Sequence, residues 1–324
     1  MSELYAGVDL GGTNVTCALA DARGRMVATR KGPTRSAEGA TAVLERIAAM
    51  VKELTAEAGR APAAVGMGIP GLVDRKRGVT KFLPNFPTNW PDVPVGRVLG
   101  ERLGCAVHIL NDARTATLGE LTFGKGKGGR ERGLSMVFFG IGTGVGGGVV
   151  IDGRLRLGPL GAAGELGHHT MLPDGPLCGC GNRGCLETLA AGPAITAEGI
   201  RLMLSGMAPR LHERVGGDVA KVTTREMAAA AEAGDASVRG AIEQAARWLG
   251  YGVANVVVTL HPELIVLGGG VAEIGPMYID TVERTMRGAI GMFPTDGVRV
   301  EKSALGVQAG ILGAVALAAA GGDV

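Results

Sequence analysis

The sequence lacks the features that mark fibrous, secreted or nucleic-acid-binding chains. It has only 15 prolines against 56 glycines in 324 residues, and the glycines follow no three-residue period, which excludes a collagen-like chain. The net charge is +2, from 33 basic and 31 acidic residues, so nothing indicates a nucleic acid or another polyanion as partner. No basic segment precedes an apolar run at the start, and we therefore expect no secretory signal and a cytoplasmic location.

Long apolar runs are also missing. The stretch Ser303 to Gly322 carries no charge, but its helix-like part, Val307 to Ala320, is shorter than the ~20 residues that a membrane span needs. We expect a buried terminal helix there and no membrane association. Hydrophobic residues make up 46% of the chain, which is enough for a sizeable core. At roughly 150 residues per domain, the length predicts about two domains.

Short apolar runs separated by turn signals predict the secondary structure. Residues 4 to 31 favour three antiparallel strands, and an amphipathic helix with Ser36 as a possible N-cap follows them. Six apolar side chains share one face of that helix: Val43, Leu44, Ile47, Met50, Val51 and Leu54. Further strands are expected at Ala64 to Ile69 and at Ala106 to Leu110, the latter leading into a helix from Ala113 to Leu121. Alternating strands and helices indicate the α/β class.

Two weak internal echoes indicate that the chain has related halves. The segment from Gly7 to Gly12 resembles the segment from Gly140 to Val145, and each is typical of a strand followed by a glycine turn and another strand. Residues 65–71 resemble residues 264–270, in the same order along the chain.

The two glycine turns are candidate phosphate sites, because several backbone N–H groups in such a turn can bind one anion. Gly142, Gly144 and Gly147 also match the dinucleotide fingerprint, but residues 149–151 favour a strand where that fingerprint requires a helix. Asp9 precedes the first turn and is suited to hold Mg²⁺ directly or through water. Acceptance of hydrogen bonds within a tight turn is the alternative role for Asp9.

The pair Asn111-Asp112 lies between a strand and a helix. Either residue is a suitable helix cap. Alternatively, Asp112 is a general base that accepts a proton from a substrate hydroxyl, since ligand crevices in α/β proteins form at the carboxyl ends of strands.

The strongest local signal is a cluster of metal-ligand residue types. His168, Cys178, Cys180 and Cys185 fall within eighteen residues, and an odd total of five cysteines does not favour a disulfide scaffold. One imidazole and three thiolates are able to surround a tetrahedral structural Zn²⁺. His169 is an alternative ligand, and buried free cysteines are the alternative to a metal site. Nearby Glu165 and Glu187 are either sugar-binding carboxylates or salt-bridged surface groups.

The sequence resembles the ROK family of sugar kinases and related repressors over nearly its whole length, and it is most similar to the glucokinases of that family. The motifs that carry the resemblance are DLGGT at 9–13, GIPG at 68–71, PN at 84–85, NDA at 111–113, GTGVGG at 142–147, GELGH at 164–168, CGCGNRGCLE at 178–187 and LGGG at 267–270.

The resemblance implies an actin-like ATPase (ribonuclease H-like) fold, with two α/β domains flanking a cleft. Residues 1–112 and 304–324 would form a small domain, and residues 113–303 a large domain with the zinc loop. The implied activity is ATP-dependent phosphorylation of glucose at its C6 hydroxyl, with Mg²⁺ and a structural Zn²⁺. A homodimer or homotetramer is implied as well.

Roles for single residues follow from the same resemblance. Asp112 would be the general base, and the sugar would be held by Asn85, Asn111, Asp112, Glu165, His168 and Glu187. The nucleotide would be bound by Asp9, Gly11, Gly12, Thr13, Gly142, Thr143, Gly144, Gly269 and Gly270. The zinc ligands would be His168, Cys178, Cys180 and Cys185, with His168 serving the metal and the sugar through different ring atoms.

The sequence departs from the family pattern at two places. Asn14 stands where many relatives have a lysine, so a cationic contact to the phosphates is left open. Residues 86–90 lengthen the segment after Asn85, which lies close to the sugar in relatives, so hexose selectivity is also open. A kinase for fructose, mannose or an N-acetylhexosamine is the alternative within the enzyme class. A non-catalytic sugar sensor or regulator is the alternative outside it, although only eight residues precede Asp9 and we expect no DNA-binding domain.

Overall fold

The structure, a computed structural model, describes residues 3–84 and 86–324 and divides into two units. Unit 1 takes the described residues up to Leu134, together with Gly148–Gly164 and Val307–Val324. Unit 2 consists of Ser135–Gly147 and Glu165–Gly306. The expected domain boundaries after residues 112 and 303 stay a prediction.

The elements are numbered in chain order. The strands are β1 (Leu4–Leu10), β2 (Asn14–Asp21), β3 (Met26–Pro33), β4 (Ala64–Ile69), β5 (Leu72–Asp74), β6 (Val79–Phe82), β7 (Ala106–Asn111), β8 (Met136–Ile141), β9 (Val145–Ile151), β10 (Arg154–Arg156), β11 (Leu264–Gly268) and β12 (Arg299–Lys302). The α-helices are α1 (Gly39–Ala58), α2 (Val95–Leu103), α3 (Asp112–Phe123), α4 (Glu187–Ala190), α5 (Gly192–Leu204), α6 (Pro209–Val215), α7 (Thr224–Glu232), α8 (Ala236–Leu260), α9 (Pro276–Gly288) and α10 (Ala309–Ala319).

The sheet of unit 1 has the strand order β3-β2-β1-β4-β7. Strands β1, β2 and β3 are antiparallel neighbours, as the sequence predicts, while β1, β4 and β7 run parallel. Side chains alternate across a strand, so Val8 and Leu10 of β1 join the core formed with α1, whereas Gly7 and Asp9 lie on the opposite face. All six apolar residues predicted for one face of α1 are buried.

Glycine allows unusually close packing on that opposite face. A Cβ on Gly66 of β4 would collide with the carbonyl oxygen of Ala314 in α10, and one on Gly313 would collide with that of Thr115 in α3. The terminal helix α10 therefore lies directly against β1, β4 and α3. The glycine excess thus serves helix packing as well as the turns expected from composition.

The second sheet has the order β10-β9-β8-β11-β12, and the division between the units falls within β9, after Gly147. Strand β11 is parallel to both β8 and β12. The order repeats that of the first sheet, with β1 and β8 at the centre and each joined to the next strand by a three-residue turn. The predicted echoes correspond to β1 with β8 and to β4 with β11.

The N-terminus of α1 differs from the prediction. Ser36 is not the N-cap of α1, because Ser36–Glu38 form a 3-10 turn and the helix begins at Gly39 without a side-chain cap.

In the described part of the chain, no helix combines the length and the apolar character that a membrane span requires.

Candidate functional site

In unit 1, two acidic residues lie at the carboxyl ends of parallel strands. Asp9 is the penultimate residue of β1, and Asp112 begins α3 directly after β7. Strand β4 lies between β1 and β7 and is parallel to both, so the carboxyl ends of β1 and β7 lie at the same edge of the sheet. The Asp9 carboxylate contacts the backbone of Gly310, where a Cβ would come within 2.8 Å of Oδ2.

The environment of Asp9 disfavours its charged form. Burial raises the pKa of Asp9 to about 6, and the nearby charge of Asp112 adds to the increase. A carboxylate that shares a site with a second acidic group is stabilised by a cation, and Mg²⁺ prefers such oxygen ligands. The residues present therefore fit a magnesium ion near Asp9.

Asn111 is the residue that caps α3. Its Oδ1 accepts hydrogen bonds from the backbone N–H groups of Ala113 and Arg114, at 3.0 and 3.2 Å, and its Nδ2 donates to the carbonyl of Gly71. The Oδ1 of Asp112 also accepts from Ala113 N, at 2.8 Å. The helix N-terminus is thus satisfied by Asn111 without requiring Asp112 as the cap.

Arg114 was not singled out by sequence reasoning, although its side chain fixes this region. It is 1% exposed, and its guanidinium donates to Asn111 Oδ1 and to the carbonyls of Ala162 and Ala163. The sequence gives little signal for this role, because two of the three acceptors of Arg114 lie nearly 50 residues away along the chain.

Both glycine turns present backbone N–H groups. In unit 1, Gly11 N donates to Asn14 O at 2.9 Å and closes the first turn. In unit 2, Gly142 N donates to Gly144 O at 2.9 Å and closes the second. Within residues 3–84 and 86–324, no acceptor is found for the N–H groups of the turn residues between or beside these anchors: Gly12, Thr13, Thr143 and Gly144. These donors are suited to bind phosphate oxygens.

Gly269 and Gly270 follow β11, the parallel neighbour of β8 in unit 2. Gly269 has φ +83°, and a side chain there would collide with the carbonyl of Ile141 at the end of β8. Val271 N donates to the same carbonyl at 3.0 Å. The predicted adenosine segment and the second phosphate turn are therefore neighbours within one unit.

The dinucleotide alternative for the second turn is not supported. Residues 145–151 form strand β9, so no helix begins after Gly144. The Rossmann-type fingerprint needs a helix N-terminus at that point to receive the pyrophosphate.

The predicted metal ligands of unit 2 form a tight cluster. The ligand atoms of His168, Cys178, Cys180 and Cys185 all lie within 4.8 Å of one another. Cys180 Sγ is 3.7 Å from Cys185 Sγ, and Cys178 Sγ is 3.7 Å from His168 Nδ1. Tetrahedral zinc with bonds of about 2.3 Å to sulfur separates its sulfur ligands by about 3.8 Å, so the cluster fits Zn²⁺.

The loop backbone holds the cysteines in place. Cys178 N donates to Asn182 O, and Gly181 N donates to Cys178 O. Gly184 has φ +63°, and a side chain there would collide with Leu172 O, so glycine is required beside Cys185. Burial raises the pKa of the Cys185 thiol to about 12, and a bound metal would be needed to keep it as the thiolate.

The two adjacent histidines have different surroundings. His168 directs Nδ1 towards Cys178, while its Nε2 lies 3.9 Å from Glu165 Oε2. His169 Nδ1 is buried without a hydrogen-bond partner and is not part of the cysteine cluster. Among the described residues, His168 is therefore the histidine that fits the metal site.

Glu187 lies between the cysteine cluster and the second glycine turn. Its Oε2 accepts a hydrogen bond from Val145 N at 2.9 Å, and its Oε1 is 3.8 Å from Cys178 Sγ. The Glu187 carboxylate faces the backbone of the turn, and within residues 3–84 and 86–324 no salt bridge is found for it.

Asn85, predicted to bind sugar, lies outside the described residues. The segment that follows it is anchored by the buried rings of Phe86 and Trp90, whose centroids are 4.8 Å apart. Asn14 is exposed at the start of β2.

Comparisons with known proteins agree over the whole chain. The sequence model of the ROK family matches residues 5–320. A glucokinase of Streptomyces coelicolor is 34% identical over 320 residues, which is 97% of each chain. A glucokinase of Thermotoga maritima is 35% identical over 319 residues, 96% of each chain. A solved ROK family glucokinase from Streptomyces griseus, in complex with glucose and AMPPNP, has a TM-score of 0.85 at 33% identity and is matched over 97% of this chain and 99% of that chain.

Proposed function

The chain belongs to the ROK family and has its actin-like ATPase fold, and on this basis we propose that it transfers the γ-phosphoryl group of ATP to the C6 hydroxyl of glucose. The observation that carries the proposal is the state of the Asn111-Asp112 pair. Asn111 is the N-cap of α3, and Asp112 lies at the carboxyl end of β7 beside the buried carboxylate of Asp9.

Asp112 is the general base of the proposed reaction. It accepts the proton of the sugar hydroxyl while that oxygen attacks the γ-phosphorus and ADP leaves. The transition state of such a transfer is loose, so alignment and charge neutralisation matter more than covalent chemistry. The N–H groups of Gly12, Thr13, Thr143 and Gly144 would neutralise phosphate charge, and Mg²⁺ held near Asp9 adds to this when bound.

Polar side chains would hold the sugar hydroxyls. Asn111 has one Nδ2 hydrogen left after its bond to Gly71, and that hydrogen is the group it offers. Glu165 and His168 Nε2 face each other in unit 2 and would bind neighbouring hydroxyls. Asn85 and Glu187 complete the proposed set.

The structural zinc would be held by His168 Nδ1 and the three cysteine thiolates. Four protein ligands close the coordination shell, so the ion supplies rigidity and no catalytic water. Through His168 and the adjacent Glu165, this rigidity orients the proposed sugar-binding groups.

The test is a panel of hexoses with ATP, run beside Asp112→Asn. We expect glucose to be preferred and the variant to lose at least about 100-fold in kcat, the scale of a lost general base, while its glucose affinity changes much less. Polyphosphate in place of ATP tests the donor. Sugar binding without phosphorylation of any hexose would instead support the sensor, and a preference for another hexose would support the alternative kinase.

Self-association in the cytoplasm is part of the proposal. Tyr251 and Val258 are seven residues apart on α8 and are exposed, and Leu204 and Met207 are exposed in the same unit. Contiguous exposed apolar surface marks an association site, and we place the proposed contact at these side chains of unit 2. Light scattering is expected to give a dimer or tetramer, and Val258→Glu to give a smaller species.

A further inference from the structure

Segment 187–192 holds the second glycine turn at both of its ends. The side chain of Glu187 accepts from Val145 N, just after the turn, at 2.9 Å. Gly192 N donates to the carbonyl of Gly142, the first residue of the turn, at 2.8 Å. Helix α4 and Ala191 connect Glu187 to Gly192, the first residue of α5, so the position of the turn depends on the position of Glu187.

Gly144 leaves the space that the Glu187 carboxylate occupies. Its φ is not in the left-handed region, so alanine is allowed by the backbone. A Cβ at this position, however, would collide with Glu187 Oε2. At Gly142, in the same turn and also without a left-handed φ, an added Cβ meets no atom within 4 Å.

The other carboxylate oxygen faces the metal loop. Oε1 of Glu187 lies 3.8 Å from Cys178 Sγ, one of the four proposed zinc ligands. One oxygen of the carboxylate therefore contacts the phosphate turn, and the other faces Cys178, whose Sγ is 3.7 Å from Nδ1 of the proposed sugar-binding residue His168.

We infer that Glu187 couples the binding of sugar and nucleotide. This rests on the proposed function, in which Glu187 receives a sugar hydroxyl. A sugar hydroxyl that donates to Oε1 restricts the motion of the carboxylate, and the carboxylate in turn restricts the motion of the glycine turn. The nucleotide then binds a turn that is already ordered, so its binding loses less conformational entropy. The coupling is positive and reciprocal, with each substrate raising the affinity for the other.

The experiment measures glucose affinity by calorimetry with and without a non-hydrolysable ATP analogue and Mg²⁺. We expect the wild type to bind glucose at least about 5-fold more tightly with the analogue, within the usual range of coupling between sites. Gly144→Ala, which keeps the carboxylate but displaces it, should bring this factor close to one. Zinc content is measured in each variant so that loss of the metal loop is recognised.

Gly142→Ala is the matched control because it adds the same methyl group to the same turn without touching Glu187. This variant is allowed to bind the ATP analogue more weakly, but the ratio of its glucose affinities with and without the analogue should equal that of the wild type. In Gly144→Ala combined with Glu187→Gln, the loss of analogue affinity should not exceed that of the worse single variant, since both act through one carboxylate.

Amide exchange at Val145 gives a readout that needs no sugar. Protection of this amide should fall in Gly144→Ala and persist in Gly142→Ala. An unchanged coupling factor in Gly144→Ala, or a wild-type factor of one, would overturn the inference while phosphorylation of glucose upholds the proposed function. Absence of both sugar binding and turnover would refute the proposed function and the coupling together.

Discussion

Replacement of Asp9 by asparagine should change how the stability of the protein depends on pH. Burial and the charge of Asp112 raise the pKa of Asp9 from 3.8 to about 6. Below pH 3.8 this carboxyl is protonated in the folded and the unfolded state, so folding buries no charge and the carboxyl does not reduce the free energy of unfolding. Between pH 3.8 and 6 the folded state binds the additional proton, and the stability conferred by the protonated group is lost as the pH rises.

The size of the effect follows from the shift in pKa. Each unit corresponds to about 1.36 kcal/mol, so ionised Asp9 costs the fold about 3 kcal/mol above pH 6. Asparagine has nearly the same shape and no charge to bury. The difference in the free energy of unfolding between the variant and the wild type should therefore increase by about 2 kcal/mol from pH 4.5 to pH 7.5, in favour of the variant.

Urea unfolding of both proteins at six pH values across this range measures the difference, without added Mg²⁺ or nucleotide. Asp21→Asn is the matched control, because hydrogen bonds from the backbone of Arg25 hold the pKa of Asp21 below its ordinary value. That carboxyl is ionised in both states across the range, so its variant should show a nearly constant loss of stability. A flat difference for Asp9→Asn, or one that falls with rising pH, would refute the reasoning.

Three further predictions concern the metal and the packing. Elemental analysis of protein purified without chelator should find about one zinc per chain, and Cys185→Ser should lose it with a lower Tm; metal-free native protein would contradict the cluster assignment. Gly313→Ala should destabilise by at least about 2 kcal/mol in denaturant unfolding because its methyl would collide with Thr115 O, whereas Gly240→Ala in α8, with no atom within 4 Å, should stabilise by about 0.5–1 kcal/mol. Arg114→Met should cost about 3 kcal/mol, since three acceptors lose their donor, and an effect below 1 kcal/mol would argue against that role.

Sequence patterns predicted the elements whose residues are close together along the chain. Alternation and turn signals located β1 to β4, and apolar spacing located α1 with its buried face. The ligand types in residues 168–185 were sufficient to predict the metal cluster, because a loop of eighteen residues has few ways to bring four ligands together. The echo of strand, turn and strand indicated the repeated sheet order.

The choice between equivalent side chains needed three-dimensional geometry. Asn111 and Asp112 are both good helix caps, and only the hydrogen bonds to Ala113 and Arg114 identify Asn111 as the cap. His168 and His169 are adjacent in the sequence, and only the direction of the rings separates the candidate ligand from the buried neighbour.

The sequence by itself determined the family, the element order and the chemistry-bearing residues, because these depend on local pattern and on motifs. Only the tertiary structure decided which distant groups meet: Asp9 with Asp112 across β4, Gly313 with Thr115, and Glu187 with the amide of Val145. The physical reason is that such contacts depend on how strands and helices pack, and one glycine in place of a side chain is enough to allow or forbid them.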